Sequence, residues 1–241
     1  MLKKWFLLLL ALAMLFTLAA CNKEDPTPPP NDDTGNPTTS TSPSTAVVAH
    51  SGTLQNGAIS WEIHTVNGTD GKHYLKGSGA LEDFESAQDQ PWWMYGDTKT
   101  YGERNTMEDA IVLVTAIVVE EGITALGANA FADQDSVTTV TLPSTLTTLG
   151  EACFKDCQKL STVNGGVGIA SIDDEAFHSC TSLESIELSS ALTHVGVSAF
   201  DFLGEITLTV RFQGTEEQWN AIVCEYGNTK FKDVEPSYAL R

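Results

Sequence analysis

The chain has 241 residues, of which 41% are hydrophobic, an ordinary share for one or two globular domains. Its 13 basic residues stand against 32 acidic residues, so the formal net charge is −19 at pH 7. A surface this acidic repels phosphate groups, which argues against a nucleic-acid-binding protein and against a protein that lies flat on an anionic membrane.

The N-terminus has the organisation of a secretory signal peptide, predicted over residues 1–20. Lys3 and Lys4 precede an apolar run over residues 5–20, which is short for a transmembrane helix. The run ends in Leu-Ala-Ala-Cys at residues 18–21, which resembles the bacterial lipobox. This resemblance implies that Cys21 becomes the lipidated N-terminus, whose acyl chains would anchor the protein stably in a membrane.

Residues 21–49 are predicted to comprise the lipidated cysteine and a disordered linker. Pro, Thr, Ser, Asp and Asn dominate the linker, so almost nothing in it can be buried. Its first residues, Lys23, Glu24 and Asp25, resemble a lysine-plus-two-acids signal that sends lipoproteins to the outer face of the outer membrane in a group of Gram-negative bacteria. The resemblance implies an outer-membrane lipoprotein displayed on the cell surface, with the periplasmic side of a membrane as the alternative.

Residues 50–110 are predicted to form a β-rich N-terminal cap. Residues 58–63 alternate weakly, residues 67–71 are a strong turn signal, and a strand resumes near residue 73, which predicts a hairpin with Trp61 and Leu75 facing inward. Trp92 and Trp93 follow and form a secondary binding candidate, because exposed aromatic rings stack on sugars. The alternative is that they cover the open end of a repeat array, whose first rung would otherwise expose its core.

Residues 111–206 repeat with a period of 23 residues. Four phenylalanines mark the period: Phe131, Phe154, Phe177 and Phe200. Other apolar columns keep the same step, as in Ile117, Val140, Val163 and Ile186. A period of 20–29 residues with leucine-like positions is typical of a leucine-rich-repeat solenoid. Because each repeat holds a short strand, a turn and an irregular or helical return, we predict an α/β-type repeat solenoid of four to five rungs.

Residues 207–241 are predicted to form a C-terminal cap of a strand and a helix. The 23-residue spacing of apolar positions fails at the last rung, because the polar Thr209 falls in the apolar column of Ile186. We therefore expect one extra residue in this rung. A capping helix is predicted between Thr215, as N-cap, and Ile222, with Trp219 and Ile222 on its buried side.

Three segments resemble the BspA-type leucine-rich-repeat proteins of bacteria. They are a head segment with Leu-x-Gly-x-Gly-Ala at residues 75–80 and Pro-Trp-Trp at residues 91–93, the repeat block over residues 122–146, and a closing segment over residues 214–222. The chain departs from the family pattern in a longer polar stretch around residues 96–107. The resemblance implies adhesion to a host matrix protein, to another bacterium or to a glycan.

The outward positions of the predicted strands form the candidate ligand-binding face. Strand residues alternate in direction, so Thr139 and Thr141 should point outward beside an inward Val140. The candidate face comprises Thr139, Thr141, Thr162, Asn164, Ser185 and Glu187. The simpler alternative is that such residues merely suit an exposed strand.

The cysteines of the repeats are interpreted as buried thiols. Cys153, Cys157 and Cys180 fall on inward columns, where a free cysteine behaves as a small apolar residue. A disulfide between neighbouring rungs is the first alternative, and a metal site that includes His178 is the second. The acids at residues 173–175 lack the surrounding loop of a calcium site, which favours a solvated turn. We therefore predict no metal.

Taken together, these features predict a surface-anchored leucine-rich-repeat lipoprotein that acts as a protein- or glycan-binding adhesion module. Its partner would be an extracellular protein or glycan, with membrane contact through the lipid anchor only and no nucleic acid. The alternative is a structural or accessory subunit of an outer-membrane complex. No Ser/His/Asp or Cys/His set has supporting spacing, so we predict neither an enzyme nor a cofactor.

Overall fold

The computed structural model describes residues 46–66, 70–93, 113–201, 203–205 and 207–238. The predicted signal peptide, Cys21 and residues 22–45 of the predicted linker lie outside the described residues, as do residues 94–112 of the predicted cap. Every described element falls within one compact unit, Ser42–Arg241. In the described part of the chain, no helix has the length and apolar character needed to cross a bilayer.

The N-terminal cap is an antiparallel three-stranded arrangement. Its strands are β1 (Val47–Leu54), β2 (Ile59–Val66) and β3 (Asp70–Gly77). Trp61 pairs with Leu75 across β2 and β3, and both side chains are buried, so the predicted hairpin is confirmed.

Strand β1 begins inside the segment predicted to be linker. The linker was expected to extend to residue 49, but Val47 already pairs with Thr65 of β2. Most side chains of β1 are exposed or half-buried, so the strand depends on backbone pairing and shows no apolar alternation in the sequence. This corrects the boundary at residue 49.

The repeats contribute parallel strands to two sheets, and the larger sheet continues into the antiparallel strands of the cap. The large sheet has nine strands in the order β1-β2-β3-β5-β7-β9-β11-β13-β15, and the small sheet has six in the order β14-β12-β10-β8-β6-β4. The remaining large-sheet strands are β5 (Leu113–Val119), β7 (Thr139–Leu142), β9 (Thr162–Gly165), β11 (Ser185–Ser189), β13 (Thr209–Gln213) and β15 (Ser237–Tyr238). The small-sheet strands are β4 (Gly79–Ala80), β6 (Ile123–Leu126), β8 (Thr148–Leu149), β10 (Ser171–Ile172), β12 (His194–Val195) and β14 (Val223–Cys224).

The register of the large sheet follows the repeat period. Ile117 pairs with Val140, Val140 with Val163, and Val163 with Ile186. At the next strand Ile186 pairs with Val210, not with Thr209, so the extra residue predicted in the last rung is confirmed.

The α/β expectation for the repeats is wrong, because the return segments contain no helix anywhere in residues 113–201, all of which are described. Each return is a short strand of the small sheet followed by tight turns. Residues at equivalent turn positions have positive φ, as at Ala152 (φ 52°) and Glu175 (φ 56°), and at Asp156 (φ 59°) and Ser179 (φ 60°). This left-handed conformation cannot continue a right-handed helix, so each turn ends before a helix forms.

Helices occur in the described residues after the repeats, as α1 (Glu216–Asn220) and α2 (Thr229–Lys232). The predicted N-cap is present: the Thr215 hydroxyl accepts from the Gln218 amide at 3.3 Å, and Gln218 Oε1 accepts from the Thr215 amide at 2.9 Å. Trp219 and Ile222 are only partly buried, although both pack against the core as expected.

A column of six stacked aromatic rings runs through the core. It consists of Trp92, Phe131, Phe154, Phe177, Phe200 and Phe231. Neighbouring ring centroids lie 5.4, 5.6, 5.4, 5.2 and 4.5 Å apart from the first pair to the last. Such aromatic pairs contribute about 0.5–1.5 kcal/mol each beyond the area that they bury.

We predict that Phe154→Ala lowers the free energy of unfolding by about 3–5 kcal/mol, because it leaves a cavity and removes both ring contacts. Urea unfolding of the compact unit, followed by circular dichroism, measures this. The matched control Thr141→Ala, on an exposed strand position, should stay within about 0.5 kcal/mol. Equal losses in the two variants would contradict a core held by the ring column.

Candidate binding face on the large sheet

The large sheet brings the six predicted face residues together on three adjacent strands. Thr139 lies beside Thr162, and Thr162 beside Ser185, in one row across the strands. Thr141 lies beside Asn164 in a second row, in which Glu187 occupies the equivalent position of β11. Thr141 and Asn164 are exposed and the other four residues are half-buried, while the alternate positions are buried.

Hydroxyl groups in other columns of the repeat are occupied within the fold. The side chains of Thr138 and Ser161 donate to the carbonyl oxygens of Thr115 and Thr138, one rung earlier, each at 3.1 Å. Thr147 and Thr193 do the same at the small sheet, at 2.9 and 3.2 Å. These threonines and serines satisfy backbone groups between rungs, which accounts for their periodicity without a ligand.

The face residues differ from those columns. Within the part of the chain that the structure describes, no hydrogen bond forms from the side chains of Thr139, Thr141 or Asn164. Thr162 accepts from Ser185 at 3.5 Å and lies 3.4 Å from the Ser161 hydroxyl, both contacts near the limit of hydrogen-bond length. The two rows therefore present hydroxyl and amide groups that are available to a partner.

Glu187, one of the candidate contacts on this face, is engaged within the protein. Its Oε2 accepts from the Gly165 amide at 3.1 Å, and its Oε1 forms an ion pair with Arg211. Arg211 reaches Glu187 because the extra residue before β13 places the two side by side. The sequence frame alone put Arg211 one position away.

The centre of the face carries no charge. Ala116 and Val118 of β5 lie beside Thr139 and Thr141, and β7 and β9 continue the rows with threonine and asparagine. In a chain of net charge −19, this is an uncharged area bounded on one side by the Glu187–Arg211 pair.

A polar cluster bounds the other side of the face, on the hairpin of the cap. Glu62 Oε2 lies 2.8 Å from Lys76 Nζ and 2.6 Å from His64 Nε2. The rings of His64 and Tyr74 lie 4.6 Å apart. The Lys76 ammonium and then the His64 ring lower the pKa of the Glu62 carboxyl. Tyr74 pairs with Val118 and so lies in the row of Thr141.

Sequence reasoning missed the cluster of Glu62, His64, Tyr74 and Lys76. The signal was present, because these residues alternate with the inward Trp61 and Leu75 and must face outward. The hairpin register brings them together: Glu62 lies opposite Tyr74, and His64 is two residue pairs further along, on the same face.

Trp92 cannot stack on a sugar, which corrects the secondary candidate. Its ring is fully buried, its Nε1 donates to the Ala130 carbonyl at 3.1 Å, and it stacks on Phe131. It is the end ring of the core column and covers Phe131, in agreement with the alternative of an end cover. Trp93 is half-buried beside it.

Comparison with known proteins identifies the repeat block. Residues 110–221 match the BspA-type leucine-rich-repeat region in six copies, where the apolar columns predicted four to five rungs. The repeat region of this chain belongs to the BspA type. No curated protein matches the chain significantly.

Solved structures of similar fold come from several bacteria. A leucine-rich-repeat protein from Eubacterium ventriosum is 20% identical with a TM-score of 0.54, over 76% of this chain and 42% of that protein. The leucine-rich-repeat protein of T. pallidum is 17% identical with a TM-score of 0.44, over 75% and 62%. A leucine-rich cell surface protein from Faecalibacterium prausnitzii is 15% identical with a TM-score of 0.39, over 72% and 54%.

The first of these likenesses shows the leucine-rich-repeat fold. In each case the chain spans less than two thirds of the solved protein: 42, 62 and 54%.

The cysteines of the BspA-type repeats are free thiols inside the core, as expected. Cys153, Cys157 and Cys180 are buried, whereas Cys224 is half-buried. The thiols of Cys157 and Cys180 donate to the carbonyl oxygens of Phe131 and Phe154, each at 3.1 Å. Burial raises the pKa of each of these buried thiols, and therefore keeps it protonated.

The alternative metal and calcium ligands are otherwise engaged. Asp174 accepts from the Val197 amide at 2.7 Å, Glu175 pairs with Lys155 at 2.5 Å, and Asp173 accepts from Ser171 at 2.6 Å. Over the described residues, no group of three or more His, Cys, Asp or Glu side chains is arranged to hold a metal.

We predict that one thiol of the compact unit reacts quickly with a thiol reagent and three react only on unfolding. Cys224 is the partly accessible one, and burial protects the others. Thiol counting before and after denaturant measures this. Cys224→Ser should abolish the fast phase, and recovery of only two thiols from unfolded wild type would indicate a disulfide instead.

Proposed function

We propose that this protein is a surface-anchored, non-enzymatic adhesion module that holds an extracellular protein or glycan on the outer face of its large sheet. The observation that carries the proposal is the pair of outward rows in β7 and β9. Thr139, Thr141 and Asn164 are not committed to rung-to-rung hydrogen bonds, whereas the hydroxyls of neighbouring columns are. Extended sheet surfaces of solenoid repeats serve as binding surfaces, and leucine-rich repeats are protein-interaction modules.

Electrostatics support the same face. The chain carries a net charge of −19, which repels other acidic surfaces at long range. The centre of the face is uncharged, and its borders are neutralised by the Glu62–Lys76 and Glu187–Arg211 pairs. A partner with an uncharged contact surface can therefore approach without desolvating an unpaired charge.

The anchor supports display at a membrane. The Leu-Ala-Ala-Cys sequence at residues 18–21 resembles a lipobox, and Lys23, Glu24 and Asp25 resemble a surface-export signal. We propose an outer-membrane lipoprotein with its repeats held out on the surface, where many copies would add avidity to a modest single-site affinity.

A binding test uses the compact unit on immobilised host matrix proteins, mucins and polysaccharides. We expect binding, and we expect Thr139→Arg, Thr162→Arg and Ser185→Arg combined to weaken it by about tenfold or more, because three bulky charges would cover the face. Surface plasmon resonance measures the affinity.

The matched control places arginine at Thr148, Ser171 and His194. These residues lie side by side on the small sheet and are half-buried like the three residues on the large sheet. Their substitution by arginine changes the net charge in the same direction. Equal weakening in both triple variants would contradict a site on the large sheet. Absence of binding throughout would favour the accessory-subunit alternative, which pull-down from the native outer membrane tests.

Lipidation has its own test in the producing bacterium. Cys21→Ser should move the protein from the detergent phase to the aqueous phase on Triton X-114 partition, because the acylated side chain is lost. Cys224→Ser, which changes a thiol inside the fold, should leave partition unchanged. Detergent-phase recovery of the Cys21→Ser variant would contradict the lipid anchor.

A further inference from the structure

A histidine lies in the core at the N-terminal end of the solenoid. His73, on β3, is fully buried between its strand partners Ile63 and Ile117. Its ring centroid lies 4.7 Å from that of Trp92 and 5.4 Å from that of Phe131. It therefore touches the first two rings of the aromatic column.

Among the described residues, neither ring nitrogen of His73, Nδ1 or Nε2, has a hydrogen-bond partner. The only other buried side-chain nitrogen without a partner in this part of the chain is Trp93 Nε1. We call residues 81–93 the cap segment. All three atoms lie in the region where this segment covers β3 and the first repeat. This contact is the least satisfied polar region of the described core, and buried polar groups are normally bonded.

The side chains around the ring offer no charge to balance a proton. The described neighbours that face it are Trp61, Ile63, Trp92, Ile117 and Phe131, none of which titrates or carries charge. On its own strand, Lys72 and Tyr74 point to the opposite face. Burial in this apolar surrounding lowers the pKa of His73 to about 3.

The His73 ring can reach water if the cap segment moves away, because the strands on either side of β3 are held by continuous pairing. Strands β2 and β3 pair continuously over eight residue pairs, and six pairs join β3 to β5. The cap segment includes a short 3₁₀ turn (Ala87–Asp89) and no strand. It is attached to the repeats without a strand ladder. Isolated backbone bonds run from the Leu81 amide to the Ala125 carbonyl and from the Phe84 amide to the Ala128 carbonyl, each at 2.9 Å. Side-chain bonds add to these, such as Gln90 Nε2 to the Asn129 carbonyl at 2.5 Å and Trp92 Nε1 to the Ala130 carbonyl at 3.1 Å.

We propose that His73 is a proton-operated latch: its protonation releases the cap segment and exposes Trp61, Trp92 and Phe131 as an apolar surface at the end of the solenoid. The released ring binds a proton below about pH 6.5, the ordinary value for histidine, whereas the closed ring stays neutral until far lower pH. The open form therefore gains population as pH falls, by about tenfold per pH unit within that window.

Acids of the cap segment itself need a control. Glu82, Asp83, Glu85 and Asp89 are exposed, and Asp83 Oδ1 accepts from the Ala128 amide at 2.7 Å, so it joins the segment to the repeats. Asp83→Asn removes that carboxylate and leaves His73 in place.

The test is amide hydrogen exchange of the full chain, measured by NMR as protection factors at pH 7 and pH 5. The Leu81 and Phe84 amides report release of the cap segment, and the Phe154 and Phe177 amides report the repeats. From pH 7 to pH 5 we expect about a twenty-five-fold fall in protection at Leu81 and Phe84, and none at Phe154 and Phe177. In His73→Phe, protection at Leu81 and Phe84 should not fall between pH 7 and pH 5. In Asp83→Asn, the fall in protection should be the same as in wild type.

Three results would overturn the latch. The fall could persist in His73→Phe, it could occur equally at Phe154 and Phe177, or it could be absent in wild type. If His73→Phe does not fold, His73→Leu replaces it. The wild-type ring also gives a direct reading, since its Cε1 proton resonance should stay at the neutral position down to pH 5, and titration near pH 6.5 would contradict the proposal.

Discussion

The stacking of one aromatic ring on the next is the contact on which the rest of the molecule depends. Rings separated by 5.2 to 5.6 Å in the repeats must match strands spaced about 4.8 Å apart. Only a constant repeat length brings every ring to the same place in its rung. Where the length changes after Ile186, the next ring of the column is supplied by Phe231 of α2 and no longer by a repeat position.

Hydrogen bonds between rungs divide the polar residues into two groups. Hydroxyls at the corners of the rungs, and the thiols of Cys157 and Cys180, donate to carbonyl oxygens one rung earlier. Most of these carbonyl oxygens already accept a backbone amide, so the side chains add a second bond between rungs and are themselves paired. Among the described residues, the outward-facing side chains of β7 and β9 form no such bonds to the carbonyl oxygens of another rung. Threonines on these strands are therefore available to a ligand, whereas threonines at the corners of the rungs are not.

The two ends of the column are finished differently. At the C-terminal end Phe231 stacks 4.5 Å from Phe200, and Asn228 bonds to the Phe200 amide and the Gly196 carbonyl, so polar groups there are paired. At the N-terminal end Trp92 completes the stack, but the neighbouring His73 has no hydrogen-bond partner among the described residues. This difference in polar pairing is the basis of the proposed His73 latch at the N-terminal end.

Patterns that are local or periodic were legible in the chain itself. The 23-residue step, the inward column of Phe131 to Phe200, the hairpin of Trp61 and Leu75, and the cap at Thr215 each follow from spacing or from a few adjacent residues. The outward direction of Thr139 and Thr141 follows equally from strand alternation. What they bind does not.

Contacts between distant strands were decided by the tertiary structure. The small sheet in place of a helical return, the pairing of β1, the capture of Glu187 by Arg211 and the isolation of His73 all depend on which side chains meet after folding. The physical reason is that one inserted residue or one left-handed turn changes every later neighbour, while the composition of each segment stays the same.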